Sequence, residues 1–143
     1  MNATFVSQSE IVCVAPPVEV NSDTVQLQVS INSLTYTDDD IKFRYHLPLR
    51  VSEIWPARGP TQGGSSVHVS VQNLIKVSTN TVLCRFIFRN DQIVKDVSGT
   101  FLDENTIVCV TPSTNHPTQA SVEVSTNAGR DFTQSSFQFQ FEE

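Results

Sequence analysis

Apolar and polar residues alternate along most of this chain. Val67-His68-Val69-Ser70-Val71 and Val82-Leu83-Cys84-Arg85-Phe86-Ile87-Phe88 put every second side chain on one face. Ala120 to Val124 and Phe137 to Phe141 do the same. A period of two is that of a half-buried strand. No segment carries a helical stripe. Turn signals separate the runs: Arg58-Gly59-Pro60, Gly63-Gly64, Asn90-Asp91, Asp103-Glu104-Asn105, Asn115-His116-Pro117 and Asn127-Ala128-Gly129. The pattern predicts an all-β antiparallel sandwich of about seven short strands.

The alternation is itself repeated. Thr4-Phe5 and Ile11-Val12-Cys13-Val14-Ala15-Pro16 return as Thr100-Phe101 and Ile107-Val108-Cys109-Val110-Thr111-Pro112, always 96 positions later. Val25, Leu27 and Val29 match Ala120, Val122 and Val124 at an offset of 95. Ile41, Phe43 and Tyr45 match Phe137, Phe139 and Phe141, again at 96. A residue is lost in one turn and regained around Gly129-Arg130-Asp131. Indels confined to turns keep each strand's apolar face in step, because a one-residue slip would turn that face outward. A fixed period marks an array of similar units. With 143 residues, the expected organisation is a partial unit over 1–46 followed by a complete unit over 47–143. A boundary at His46-Leu47-Pro48 leaves a short connection, which predicts adjacent units of restricted relative angle. The expectation is a piece of a longer array.

Composition narrows the function classes. The net charge is −6 with nine Lys and Arg, which argues against a nucleic-acid or anionic-membrane surface built on clustered positive charge. No run approaches the roughly 18 to 20 apolar residues of a transmembrane helix, so no membrane insertion by this segment is expected. The start, Met1-Asn2-Ala3-Thr4, lacks the basic and apolar regions of a signal peptide.

Candidate chemistry is sparse. Gly59-Pro60-Thr61-Gln62-Gly63-Gly64-Ser65 lacks the Lys-Ser/Thr of a phosphate-binding loop and precedes a strand. Pro56, Gly59, Pro60, Gly63 and Gly64 are therefore read as structural turn residues, with Pro fixing φ and Gly permitting sharp turning. His46, His68 and His116 have no ligand spacing and no nucleophile beside them. Asp38-Asp39-Asp40 reads as a solvated turn rather than a calcium loop. Trp55 reads as packing at the end of the first strand, with a partner contact as the minority reading. Asn2-Ala3-Thr4 is a possible glycosylation acceptor at Asn2. No catalytic, metal or cofactor-binding residue is expected.

The segment from Val51 through Ile54-Trp55-Pro56, Gly59-Pro60, Gly63-Gly64 and Ser65 to Val69 resembles the opening of an IPT/TIG domain. Asn73-Leu74, Cys84, Cys109-Val110-Thr111-Pro112, Asn127-Ala128-Gly129 and the Phe137, Phe139, Phe141 ending continue the resemblance over 49–142. Residues 3–45 resemble the later half of a second copy. The resemblance implies an immunoglobulin-like β-sandwich of the early-set type. Cys84 and Cys109 match cysteine positions of the family's extracellular members. Cys109 is also the repeat counterpart of Cys13, while the counterpart of Cys84 falls outside the chain. The expectation is a Cys84–Cys109 disulfide with Cys13 unpaired, against the alternative of three free thiols in a reducing compartment. Three Cys without a CxxC or a His pair do not suggest a metal site.

Resemblance to the tandem domains of plexins, scatter-factor receptors and fibrocystin-like proteins implies a noncatalytic binding and spacer module. Its expected setting is the extracellular or cell-surface part of a membrane or secreted protein. Its expected partners are other proteins and neighbouring repeats. Two alternatives stay open. One is the IPT domain of a Rel-like transcription factor, which dimerises or touches DNA. The other is an accessory domain of a polysaccharide-active enzyme, although the chain offers no glycosidase carboxylate pair. Fold alone does not choose between them.

Overall fold

The computed structural model describes residues 1–18 and 24–143. They fall into two compact units, Met1–His46 and Leu47–Glu143. In the first, β1 (Ala3–Ser7) pairs antiparallel with β2 (Glu10–Cys13), and β3 (Thr24–Gln26) with β4 (Lys42–Arg44).

The second unit holds β5 (Arg50–Trp55), β6 (Arg58–Pro60), β7 (Ser66–Gln72), β8 (Leu83–Phe88), β9 (Ile93–Phe101), β10 (Thr106–Val110), β11 (Thr118–Ser125) and β12 (Phe137–Glu142). They form one continuous hydrogen-bonded sheet in the order β5-β7-β10-β9-β8-β11-β12-β6. The long strand β9 is shared between two layers. Its residues Ile93–Ser98 pair with β8, and Gly99–Phe101 pair with β10. The sheet thereby curls into an immunoglobulin-like sandwich, with β5-β7-β10 in one layer and β8-β11-β12-β6 in the other.

The alternation sets the core. Val67, Val69 and Val71 of β7 and Ile107 and Cys109 of β10 are buried with Cys84, Phe86 and Phe88 of β8. Val122, Val124, Phe139 and Phe141 complete the core from β11 and β12. Phe141 meets Phe139 edge-on at 4.9 Å between ring centroids and Phe86 at 6.4 Å. Each fully buried Val or Phe contributes about 1.5–3 kcal/mol of transfer free energy.

Three features depart from the sequence pattern. First, Arg58-Gly59-Pro60, expected as a turn, is the short strand β6, parallel to β12. After the cis Trp55–Pro56 bond the chain leaves β5 and joins the opposite layer, where Gln140 N donates to Ala57 O and Thr61 N to Glu142 O. Pro60 is tolerated because β6 is an edge strand. The turn itself follows, closed by Gly63 N donating to Pro60 O at 3.0 Å. Gly63 has φ +75°, and a Cβ there would meet the Pro112 carbonyl carbon at 2.6 Å. Second, the second unit has eight strands, β6 being the addition. Third, the second half of β11 is buried on both faces: Ser121, Glu123 and Ser125 are as hidden as Val122 and Val124.

The internal repeat is reproduced pair by pair. Ala3↔Cys13, Thr4↔Val12 and Phe5↔Ile11 in β1–β2 match Gly99↔Cys109, Thr100↔Val108 and Phe101↔Ile107 in β9–β10. Thr24↔Arg44, Val25↔Phe43 and Gln26↔Lys42 match Gln119↔Gln140, Ala120↔Phe139 and Ser121↔Gln138. The loop after each of β3 and β11 repeats its hydrogen bonds as well. Val29 N donates to Thr37 Oγ1 at 3.0 Å, as Val124 N does to Thr133 Oγ1 at 3.0 Å. Ser30 Oγ donates to Asn32 Oδ1, as Ser125 Oγ does to Asn127 Oδ1. Ser33 and Ala128 share positive φ, at 59° and 60°.

Candidate functional site

The centre of the second unit is a covalent link between its layers. Cys84 on β8 and Cys109 on β10 are disulfide-bonded, with a Cα–Cα distance of 5.9 Å. Both are fully buried. They flank β9, with Cys109 opposite Gly99 and Cys84 opposite Val97. A Cβ on Gly99 would stand 2.8 Å from Val82 Cγ1 and 3.0 Å from Cys84 Sγ. Only a residue without a side chain lets β9 pass this close to the bridge while changing layers. Cys13 carries an exposed free thiol.

A second organised point is the buried carboxylate of Glu123 on β11, 3% exposed. It accepts from the Thr133 hydroxyl, from Ser135 N at 3.0 Å and from Ser136 N at 2.7 Å. Thr133 Oγ1 in turn accepts from Val124 N, and Ser135 Oγ from Val51 N at 2.9 Å. One carboxylate thus pins the loop between β11 and β12 to its own sheet and, through Ser135, to β5. Burying a charge is costly without full hydrogen bonding, and here both oxygens are used.

Beside it, Arg85 forms a two-pronged pair with Asp96, Nε to Oδ1 and Nη2 to Oδ2, each 2.8 Å. The guanidinium carbon lies 3.7 Å from the centroid of the Phe132 ring. The hydrogen bond from Arg85 holds the Asp96 carboxyl below its usual range against opposing desolvation, and the same bond raises Arg85. Phe132–Arg85–Asp96 is therefore a fixed stack on the outer face of β8 and β9.

The opposite layer presents Trp55, 68% exposed, in edge contact with His68 at 6.1 Å between centroids. At one end of the unit His116 Nε2 lies 3.3 Å from Asp91 Oδ1, and Thr118 Oγ1 donates to Asp91 Oδ2. Asp91 and His116 border an open cleft of about 290 Å³ with Phe88, Ile93 and Lys95. Lys95 Nζ is committed to the Ser113 carbonyl at 2.7 Å. A second cleft of about 440 Å³ lies between Leu74, Lys76 and the turn Asp103-Glu104-Asn105. There Asp103 accepts from Asn105 N, which lowers its carboxyl pKa.

The residues singled out in the sequence are not gathered into one site. Pro56, Gly59, Pro60, Gly63 and Gly64 build the crossing from β5 to β7; Gly59 packs where a Cβ would strike Phe139. Asn2 is exposed directly before β1. Asp40 reaches Lys42 at 3.8 Å, on the surface. Among the described residues no group of three or more His, Cys, Asp or Glu is placed to hold a metal ion. No helix among them is long and apolar enough to cross a membrane. Of the buried side-chain polar atoms, Ser121 Oγ alone lacks a hydrogen-bond partner among the described residues. Two groupings escape sequence reading, the Glu123 acceptor and the Arg85–Asp96–Phe132 stack. Both lie on strand positions that alternation assigns to solvent, and only the width of the sheet and the path of the following loop reveal them.

The IPT/TIG domain model matches residues 49–141. Two solved structures of the plexin A4 full extracellular region are similar to this chain. The one with domains 1 to 10 has a TM-score of 0.50 at 22% identity, and the match covers 74% of this chain and 9% of that one. The one with domains 1 to 8 has a TM-score of 0.49 at 22% identity, covering 73% and 10%. The chain thus spans about a tenth of the length of those proteins, and the likeness bears on the fold. A comparison with curated protein sequences finds no match. The matched segment takes in both cysteines of the bridge, the Pro56–Gly64 crossing and the Phe-rich last strand, more than half of the chain, and the chain belongs to the IPT/TIG domain family.

Proposed function

We propose that this chain is a noncatalytic interaction and spacer module in the extracellular or cell-surface part of a larger protein. In this reading residues 1–46 are part of one repeat, and residues 47–143 form a complete one. The observation that carries the setting is the Cys84–Cys109 bridge, buried at the point where β9 changes layers. A structural disulfide at the centre of a domain fits an oxidising compartment. The interaction role is supported by how the polar groups are used. Glu123, Thr133, Asp96 and Arg85 hold loops and strands in place, and a rigid scaffold presenting loops is the usual platform for protein contacts. Protein partners and neighbouring repeats are the proposed ligands. The net charge of −6 gives no support to DNA contact, which needs phosphate-neutralising cations.

Surface labelling of intact cells tests the setting. An epitope-tagged form of the natural protein is treated with a membrane-impermeant amine reagent before and after permeabilisation. Labelling of intact cells is expected. Labelling seen only after permeabilisation, with free thiols at positions 84 and 109, would remove the reading. A DNA shift assay in a salt series separates the transcription-factor alternative: salt-sensitive retardation would favour it, and no retardation is expected.

A further inference from the structure

The triplet Asn2-Ala3-Thr4 enters β1 with both of its polar side chains on one face. Asn2 is exposed, as is every residue of β1. In an extended chain residues i and i+2 point the same way, so the Asn2 amide and the Thr4 hydroxyl share a face and Ala3 points to the other. The second unit shows which face that is. An offset of 96 carries the triplet onto Ser98-Gly99-Thr100 of β9, and β1–β2 has the register of β9–β10. Ser98 and Thr100 are exposed, whereas Gly99 is buried beside the bridge. Asn2 and Thr4 therefore hold outward strand positions and Ala3 an inward one. Cys13, opposite Ala3, belongs to the inward face, and Val12, opposite Thr4, to the outward face. Val12 is 50% exposed.

We propose that Asn2 carries an N-linked glycan on the outer face of β1–β2. The co-substrate is a lipid diphosphate-linked oligosaccharide. A bond forms between Asn2 Nδ2 and the anomeric carbon of the first sugar. The bond from that carbon to the diphosphate oxygen breaks. The amide nitrogen gives up one proton, and the lipid diphosphate leaves. Three observations carry the site. The acceptor triplet is intact, with Ala rather than Pro between Asn2 and Thr4. The two residues that a glycosyltransferase must reach are both exposed and on one face. The matching positions 98 and 100 stay at the surface in a unit whose two layers are packed, so a sugar at position 2 displaces no core side chain. It is the only such triplet in the chain, and one glycan per chain follows. A glycan is bulky and solubilising. Here it covers Val12 and withdraws the outer face of β1–β2 from protein contacts, while the Cys13 face stays open.

The inference rests on the extracellular reading, and its test is kept separate from that reading. The full chain is secreted from cultured animal cells behind a foreign signal sequence and a short Gly/Ser spacer. It then meets the glycosyltransferase whatever the setting of the natural protein, which surface labelling tests by itself. The expected result is one glycan per chain. Peptide-N-glycosidase removes it and leaves Asp at position 2 in peptide mapping. Asn2→Gln and Thr4→Ala abolish it, and Thr4→Ser retains it at reduced occupancy. Ser98→Asn completes the matching triplet with Thr100 on the exposed face of β9 and adds a second glycan. Alkylation of Cys13 keeps its rate within about twofold on deglycosylation, because access to the thiol is from the other face. An unmodified Asn2 in the secreted chain overturns the proposal. The Ser98→Asn chain glycosylated at position 98 alone overturns it most directly, since the same cells then modify the matching strand position and pass over Asn2. Cys13 alkylation that quickens about tenfold on deglycosylation overturns the placement of the glycan on the outer face.

Discussion

Gly99 runs against Cys84: a Cβ at position 99 would stand 3.0 Å from the Cys84 sulfur and 2.8 Å from Val82 Cγ1. The strand that changes layers and the bridge that ties the layers together therefore occupy one fully packed point. Gly99→Ala is predicted to destabilise the second unit by about 1–3 kcal/mol, the cost of overpacking a filled core. Urea unfolding followed by fluorescence of Trp55 measures it. An unchanged midpoint would show that β9 has slack there.

Removing the bridge acts mainly on the unfolded chain. Cys84 and Cys109 are 25 residues apart, and a loop of that size corresponds to about 3.5 kcal/mol on the chain-entropy model. The Cys84→Ser, Cys109→Ser double variant is expected to lose roughly that much in denaturant titration, with the native fold retained at low denaturant.

Glu123 is predicted to be the most sensitive polar residue. Glu123→Ala leaves the Thr133 hydroxyl and the Ser135 and Ser136 amides without their acceptor. Each unsatisfied buried donor costs about 1–3 kcal/mol. Hydrogen exchange should show faster Ser135 and Ser136 amides and a loosened 126–136 loop, while the β7 amides stay protected. Glu123→Gln is expected to be milder than Ala, because one oxygen acceptor remains.

The Arg85–Asp96 pair predicts an acid-side dependence. The Asp96 carboxyl is held below its ordinary range, first by the hydrogen bond from Arg85. A depressed folded-state value means the contribution is complete above the ordinary carboxylate range and is lost as pH falls through the depressed value. Asp96→Asn should therefore flatten the acid limb of stability against pH. Its cost at neutral pH should be below about 1 kcal/mol, because the pair is partly exposed to solvent. Chemical denaturation across a pH series checks both.

Much of this fold is legible in the residue pattern, and what is not has physical causes. Strict alternation marks β7, β8 and the Phe-rich β12, because each buries one face only. The repeat, read with the family resemblance, points to the Cys84–Cys109 pairing. Arg58-Gly59-Pro60 misleads because Gly and Pro are turn residues by propensity. Here pairing with the edge of β12 turns them into a strand. The first half of β9 is hidden because Ile93 and Val94 are adjacent apolar residues that break the period. The Glu123 acceptor is hidden because alternation assigns its face to solvent, and the loop that covers it follows in sequence only ten residues later, at Thr133.

The central claim is that Leu47–Glu143 is a self-sufficient IPT/TIG sandwich closed by the Cys84–Cys109 bridge. The most direct measurement is near-UV circular dichroism with thermal unfolding of residues 47–143 expressed alone and oxidised. The account predicts a fixed aromatic signal and a single cooperative transition, both lost together. Strand content without a near-UV signal, melting gradually, is the molten behaviour that would contradict it.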